Sequence, residues 1–68
     1  IIFNAANEIL VDQFLQKKIP FLSISKTIMW IQSDSNYKKY AIKKPKNIKE
    51  IIKIDEWARK TIIRKIYQ

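Results

Sequence analysis

The shortness of the chain constrains its fold more than any other feature. A chain of 68 residues buries only about 60% of the surface that its unfolded form exposes, so it can form at most one small, marginal core. The chain has no cysteine, and it therefore lacks the disulfide framework that stabilises many secreted domains of this size. These two limits favour a reducing compartment or a fragment of a longer protein.

The residue types that are missing exclude several classes of chemistry. Without histidine or cysteine there is no zinc site with nitrogen or sulfur ligands, no catalytic triad and no thiolate nucleophile. Without glycine there is no phosphate-binding loop of the P-loop or dinucleotide type. The apolar runs are too short to span a membrane, so we expect no membrane partner. We do not expect a complete enzyme in this chain.

The spacing of apolar residues predicts helices near residues 4–18, 23–33, 47–53 and 55–67. Lys17 and Lys18 suit a helix C-terminus, and Pro20 moves the residue before it out of the helical region. No segment shows the strict alternation of apolar and polar residues that is typical of a strand. The predicted fold class is therefore all-α, with a small bundle of three or four helices.

Short polar residues mark the expected helix starts. Asn4 or a neighbour is expected to accept from free backbone N–H groups of the first helix, and Ser23 is the expected N-cap of the second. Asn47 and Glu50 have the spacing of a capping box, which starts the third helix. Asp55 is the expected cap of the fourth helix, and it also stands one turn before Arg59.

Residues 34–46 show little apolar periodicity and are predicted to form a long, exposed, lysine-rich loop. Tyr37 and Tyr40 lie among its lysines, and lysines with aromatic residues can bind phosphates and stack on bases. The alternative is a solvated loop, since codon bias toward A/T supplies lysine and charge runs are usually unspecific. We favour the solvated loop over a nucleic-acid site. The lysines of this stretch, which runs from Asn36 past the end of the loop to residue 49, are Lys38, Lys39, Lys43, Lys44, Lys46 and Lys49.

Two carboxylates of the first helix have a spacing that could suit a metal ion. Glu8 and Asp12 stand one helical turn apart, so both could reach one divalent cation. Two ligands without a backbone-rich loop make a poor cation site. We therefore interpret both residues as solvated groups near a helix N-terminus, and we assign no metal ligand.

The most informative segment is the start of the first helix, where two amides and a carboxylate stand in an otherwise apolar run. Amides and carboxylates can satisfy one another and exposed backbone groups where a helix end is buried. Two interpretations remain open, a capped helix and a buried polar network against another domain. The segment reads Phe3-Asn4-Ala5-Ala6-Asn7-Glu8-Ile9.

This segment resembles the C-terminal helical domain of 1-deoxy-D-xylulose 5-phosphate reductoisomerases. A weaker similarity continues through residues 19–24, and the lysine-rich stretch from Lys38 to Lys49 differs from the acidic or neutral loop of that family. The resemblance thus covers nearly the whole chain. The residues that carry it are Asn4-Ala5-Ala6-Asn7-Glu8 with Ile9, Val11, Phe14 and Leu15, and Asp55-x-x-Ala58-Arg59 near the end.

The resemblance implies that residues 1–68 are a C-terminal helical domain within a larger multidomain α/β enzyme. That family converts its sugar phosphate to 2-C-methyl-D-erythritol 4-phosphate in non-mevalonate isoprenoid synthesis, with NADPH and Mg²⁺ or Mn²⁺. Its catalytic, NADPH and metal ligands belong to other domains, so none is transferred to this chain. Asn4, Asn7 and Glu8 are transferred only as a structural helix-start motif.

The implied partner is the catalytic domain of the same polypeptide, in a parent enzyme that is a homodimer. The absence of a starting methionine and the apolar first residues favour a fragment. The implied compartment is a bacterial cytoplasm or a plastid-type organelle such as the apicoplast. The competing hypothesis is an independent basic helical module that binds nucleic acid or an acidic partner through residues 38–49, supported by the net charge of +8.

Overall fold

The computed structural model describes residues 1–42 and 44–67, and this part of the chain forms four α-helices and no strand. The predicted all-α fold class is therefore confirmed. In these residues no helix has both the length and the hydropathy needed to cross a bilayer. The helices are α1 (Ile2–Leu15), α2 (Leu22–Gln32), α3 (Ser35–Ile42) and α4 (Ile48–Ile66).

The core lies where α1 packs on α4 and α2. Helix α2 also contacts α4, and α3 packs beside α2. Three of the core side chains are alanines with no exposed surface, so the backbones of α1 and α4 can approach closely. Full burial of each large aliphatic side chain contributes about 1.5–3 kcal/mol. The core comprises Ile2, Ala5, Ala6, Leu10, Ile31, Ile54, Ala58 and Ile62.

The predicted loop over residues 34–46 is wrong over most of its length, because α3 occupies residues 35–42. Asp34 provides the local reason, since its Oδ1 accepts from the backbone N–H of Asn36 at 2.8 Å in the manner of an N-cap. Lys43, which the sequence places in this loop, lies outside the described residues.

Aromatic contacts with distant parts of the chain also hold α3 in place. The ring of Tyr37 stacks on Phe3 of α1 with centroids 5.8 Å apart. Tyr40 contacts Trp57 of α4 with centroids 4.9 Å apart. Pairs of this kind contribute about 0.5–1.5 kcal/mol beyond the area that they bury. A helix with little apolar periodicity of its own is thereby stabilised by two neighbouring helices.

The two helices predicted at 47–53 and 55–67 are a single helix, α4. Asp55 does not cap a helix, because its carboxylate accepts from Arg59 Nε at 2.8 Å within the continuous helix. The predicted N-cap at Asn47 is confirmed, since its Oδ1 accepts from the backbone N–H of Glu50 at 3.0 Å. The Glu50 carboxylate in turn accepts from the backbone N–H of Lys46 at 2.6 Å. In a standard capping box it would accept from the N–H of Asn47, so the observed box extends one residue further toward the N-terminus.

The other two expected caps are wrong. Helix α1 begins with Ile1 as its N-cap and has no side-chain cap, so Asn4 lies inside the helix. Helix α2 begins after Phe21, also without a side-chain cap, so Ser23 lies inside it. Packing of the apolar faces, rather than capping, therefore positions both helix starts.

Helix α1 ends in a Schellman motif that places a lysine in the left-handed region. The backbone N–H of Lys18 donates to the carbonyl of Gln13, and that of Lys17 donates to the carbonyl of Phe14, both at 2.9 Å. Lys17 has φ 61°, a conformation that favours glycine because a Cβ crowds the following carbonyl. The chain has no glycine, so a residue with a side chain occupies this position.

We predict that Lys17→Gly stabilises the chain by up to about 1 kcal/mol, because it removes the steric cost of a left-handed residue. The free energy of unfolding in urea measures the effect. Lys18→Gly is the matched control, since it removes the same charge one residue later, where φ is not positive. Equal effects of the two substitutions would contradict the prediction.

The core contains one buried hydroxyl without a partner. Thr61 is 1% exposed, and its Oγ1 makes no hydrogen bond to any of the described residues. A buried polar group without a partner costs about 1–3 kcal/mol. This hydroxyl therefore weakens the core that surrounds it.

We predict that Thr61→Val raises the free energy of unfolding by about 1 kcal/mol, because it keeps the side-chain shape and removes the buried hydroxyl. Urea denaturation measures the difference. Thr27→Val is the control, because Thr27 is 7% exposed and its hydroxyl is not among the buried groups without a partner. A loss of stability on Thr61→Val would show that the hydroxyl has a partner.

Candidate functional site

The motif residues lie on the outward face of α1. The core residues of α1 are on one side of the helix, at positions 2, 5, 6 and 10. Asn4, Asn7 and Glu8 are exposed on the opposite side. The structure thus brings the three residues together on one face within the first two turns of α1, and not at the helix N-terminus as a cap.

Glu8 connects the motif to α4 through Arg59. The two guanidinium NH₂ groups of Arg59 donate to the two carboxylate oxygens of Glu8 at 3.1 and 3.4 Å. The pairing is bidentate, the geometry in which arginine and carboxylate match best. The side chains are 33% exposed for Arg59 and 65% for Glu8, so solvent weakens the attraction. The pair links α1 to α4 at the edge of their contact.

Arg59 contacts a second carboxylate on its own helix. Its Nε donates to Asp55 at 2.8 Å, as the spacing of one helical turn predicted. The hydrogen bonds to Asp55 and then to Glu8 raise the pKa of Arg59 above its ordinary value. The guanidinium therefore remains charged at any pH at which the protein is folded, and it acts as a fixed cation between two carboxylates.

The outward face of α1 forms a shallow open depression of about 360 Å³. Its floor combines amide and aliphatic groups, with carboxylates at the side. Asp12 accepts from the side-chain amide of Gln16 at 2.7 Å, so both acidic groups already have partners within the chain. The lining residues are Asn4, Asn7, Glu8, Val11, Asp12 and Leu15.

The residues of this depression do not fit a metal or nucleotide cofactor. In residues 1–42 and 44–67 no group of three or more acidic, histidine or cysteine side chains could hold a metal ion. Glu8, one of the two carboxylates with suitable spacing, is paired with a cation. The arrangement can form hydrogen bonds and apolar contacts, but its amides, carboxylates and aliphatic groups include no hydroxyl or thiol nucleophile.

A second groove of about 290 Å³ lies between the start of α1, α3 and the middle of α4. Tyr37 and Tyr40, the residues that could have stacked on bases, are half-buried. Tyr37 stacks on Phe3, and Tyr40 packs against Trp57. Their rings are therefore used to hold α3 in the bundle, and the exposed lysines nearby are left without a stacking platform.

Sequence reasoning singled out the three motif residues, and it correctly predicted the contact between Asp55 and Arg59. It missed the contact between Glu8 and Arg59, because 51 positions separate these residues. It also missed the hydrogen bond from the Tyr67 hydroxyl to the side chain of Gln13 at 3.0 Å, which again joins α1 to the end of α4. The local pattern carries no signal for either contact.

The sequence that forms this bundle matches a known protein family. The model of the DXP reductoisomerase C-terminal domain matches residues 1–61. The chain belongs to that family. The match includes α1, α2, α3 and most of α4, and it therefore includes both Glu8 and Arg59.

The chain is also similar to segments of curated bacterial proteins. The 1-deoxy-D-xylulose 5-phosphate reductoisomerase of Francisella tularensis subsp. novicida is 40% identical over 62 residues, or 91% of this chain and 15% of the relative. The enzyme of the same name from Acetivibrio thermocellus is 39% identical over 61 residues, or 90% of the chain and 15% of the relative. The chain thus spans about 15% of the length of these relatives. No solved structure matches it.

We predict that Glu8→Gln lowers the melting temperature slightly at low salt, because it removes one of the two carboxylates that face Arg59. The loss shrinks as salt rises from about 0.01 M to about 1 M, since the screening length falls from roughly 30 Å to roughly 3 Å. Circular dichroism at the two salt concentrations measures it. Glu56→Gln is the control, because Glu56 is exposed on α4 and joins none of the ion pairs among the described residues. A loss that does not depend on salt would contradict an ionic role for Glu8.

Proposed function

We propose that the chain is the structural C-terminal part of an NADPH-dependent 1-deoxy-D-xylulose 5-phosphate reductoisomerase. This enzyme makes 2-C-methyl-D-erythritol 4-phosphate in the non-mevalonate isoprenoid pathway. The segment alone is inactive, because the catalytic, NADPH and metal ligands lie elsewhere in the parent polypeptide. The observation that carries the proposal is the family match over residues 1–61.

The composition of the chain supports the proposal that the catalytic, NADPH and metal ligands lie elsewhere in the parent polypeptide. The chain has no glycine, which a phosphate-binding loop requires. It also has no histidine or cysteine to bind a metal ion or act as a nucleophile. The relatives are more than six times as long as the matched segment, which leaves ample polypeptide for the catalytic and cofactor-binding parts.

The role of the bundle is to support the catalytic part of the enzyme. The parent reaction is a skeletal rearrangement followed by hydride transfer, in which NADPH supplies the hydride and Mg²⁺ or Mn²⁺ organises the substrate oxygens. Such chemistry requires groups held to within a fraction of an ångström, and supporting elements outside the site provide part of that precision. Asn4, Asn7 and Glu8 act in this role as structural residues.

The partner in this proposal is the catalytic domain of the same polypeptide, and the parent enzyme is a homodimer. The compartment is a bacterial cytoplasm or a plastid-type organelle such as the apicoplast. The relatives named above are bacterial, which supports the first of these compartments.

The alternative of an independent module that binds nucleic acid has less support. It needs aromatic rings that are free to stack on bases. Tyr37 and Tyr40 instead pack on Phe3 and Trp57. The exposed lysines that remain would give only salt-sensitive and unspecific attraction to phosphates.

We predict that the chain can replace the matching segment of the Francisella tularensis enzyme with retention of activity. The measurement is NADPH oxidation with 1-deoxy-D-xylulose 5-phosphate as the substrate. The same chimera with Leu10→Asp should lose at least about tenfold in rate, because Leu10 is fully buried and an unpaired buried charge unfolds a marginal bundle.

Lys60→Asp is the matched control for this experiment, because Lys60 is exposed on α4 and its replacement leaves the core intact. It should retain the activity of the parent chimera. A chimera that is folded by circular dichroism, dimeric and inactive would overturn the proposed function.

A further inference from the structure

We propose that residues 34–42 form a strap that opens from the bundle as a unit while α1, α2 and α4 stay packed. The strap consists of helix α3 and Asp34, whose side chain accepts from the first turn of that helix. It forms one wall of the groove of about 290 Å³ between α1, α3 and α4. The groove therefore exists only while the strap is closed.

The strap contributes no residue to the core of the bundle. The eight core residues come from α1, α2 and α4, and none comes from α3. No residue of α3 is itself buried. A segment opens locally at a lower free energy than the whole fold when its opening removes few buried apolar contacts. The strap can therefore leave the bundle while the contact between α1 and α4 persists.

Two aromatic contacts hold the strap closed. Tyr37 stacks on Phe3 of α1 with centroids 5.8 Å apart. Tyr40 packs on Trp57 of α4 with centroids 4.9 Å apart. Helix α3 has 8 residues, and isolated helices shorter than about 12–15 residues are marginal in water. When the two rings leave α1 and α4, the helix therefore loses its support and unfolds in the same step.

Repulsion between lysines opposes closure of the strap. Residues 34–53 carry seven lysines and two acidic residues. The acids are Asp34 and Glu50, and each already accepts from a backbone N–H group. Lys39 of the strap and Lys53 of α4 line one small cavity of about 60 Å³ together with Glu50. Two ammonium groups beside one carboxylate that has a partner raise the energy of the closed state.

Opening of the strap uncovers part of the core. Tyr37 and Tyr40 pack against the core cluster when the strap is closed. Ile2 and Ile54 line the groove and are then only 6% and 5% exposed. When the strap opens, these two side chains face water and the groove loses one of its walls. The strap thus switches the bundle between a closed groove and an open apolar surface.

Amide hydrogen exchange tests the strap. Exchange is followed by mass spectrometry of peptides from the strap, α1 and α4, in the 68-residue chain and in the chimera described above. The chain alone decides the outcome where its α1 and α4 are protected, and the chimera decides it otherwise.

Two pairs of variants separate the forces that act on the strap. Tyr40→Leu removes one of its aromatic contacts. Phe14→Leu is the matched control, because it removes the contact with Phe21, which lies outside the strap with centroids 5.5 Å apart. Lys53→Gln removes a cation beside the strap. Lys60→Gln is its control, because Lys60 is exposed on the same helix and does not line the small cavity.

We expect the amides of the strap to exchange at least about tenfold faster than the protected amides of α1 and α4, and more slowly than those of an unfolded peptide. Tyr40→Leu raises the exchange rate of the strap at least about threefold and leaves α1 and α4 unchanged, whereas Phe14→Leu leaves the strap unchanged. Lys53→Gln slows exchange of the strap about twofold, and Lys60→Gln does not.

Protection of the strap equal to that of α1 and α4 would show that it opens only with the whole bundle, which overturns the proposal. Exchange at the rate of an unfolded peptide would show that there is no closed state. Equal acceleration of all helices by Tyr40→Leu would contradict opening as a unit, and equal effects of the two lysine variants would contradict the repulsion. A chain and a chimera that both leave α1 and α4 unprotected would lack the packed bundle from which the strap opens, and this result would also overturn the proposal.

Discussion

The close contact between α1 and α4 is the constraint on which the rest of the structure depends. Ala5, Ala6 and Ala58 have no exposed surface, and they allow the two backbones to approach closely. A larger side chain at any of these positions would separate the helices, since a packed core accommodates extra methylenes poorly. Separation would also break the contacts of Arg59 with Glu8 and of Tyr67 with Gln13. The ion pair and the terminal hydrogen bond thus depend on three small residues that carry no polar group.

The sequence correctly predicted the helices whose apolar periodicity is strong. It gave the wrong secondary structure where contacts between residues far apart in the chain stabilise a helix. Helices α1 and α2 lie where the spacing placed them, with ends shifted by a few residues. Helix α3 was missed because its stability comes from the rings of Tyr37 and Tyr40 on other helices, although Asp34 offered a local N-cap signal. Helix α4 was divided in two because aspartate is a frequent cap, whereas Asp55 is satisfied inside the helix by Arg59.

The sequence singled out the motif residues but did not indicate their orientation. The motif containing Asn4 and Asn7 was identified from the sequence, yet both residues were expected at a helix start, where asparagine commonly serves as a cap. The structure places them at the third and sixth positions of α1 and on the outward side. Which side of α1 faces the core depends on the positions of its alanines relative to α4, and no pattern within the motif specifies this. Arg59 could be paired with Asp55 by spacing, whereas its contact with Glu8 required the fold.

The packing of the first helix on the last also determines the order of events during synthesis. Helix α1 leaves the ribosome first, but the side chain of Ile62 that completes its core is made more than fifty residues later. Until then α1 exposes both of its weakly charged sides, and closing such a long loop is slower than forming contacts between neighbours. A nascent chain at this stage has a strong tendency to associate with itself or with a chaperone. The completion of α4, rather than the appearance of the motif in α1, therefore sets the moment at which the domain becomes folded.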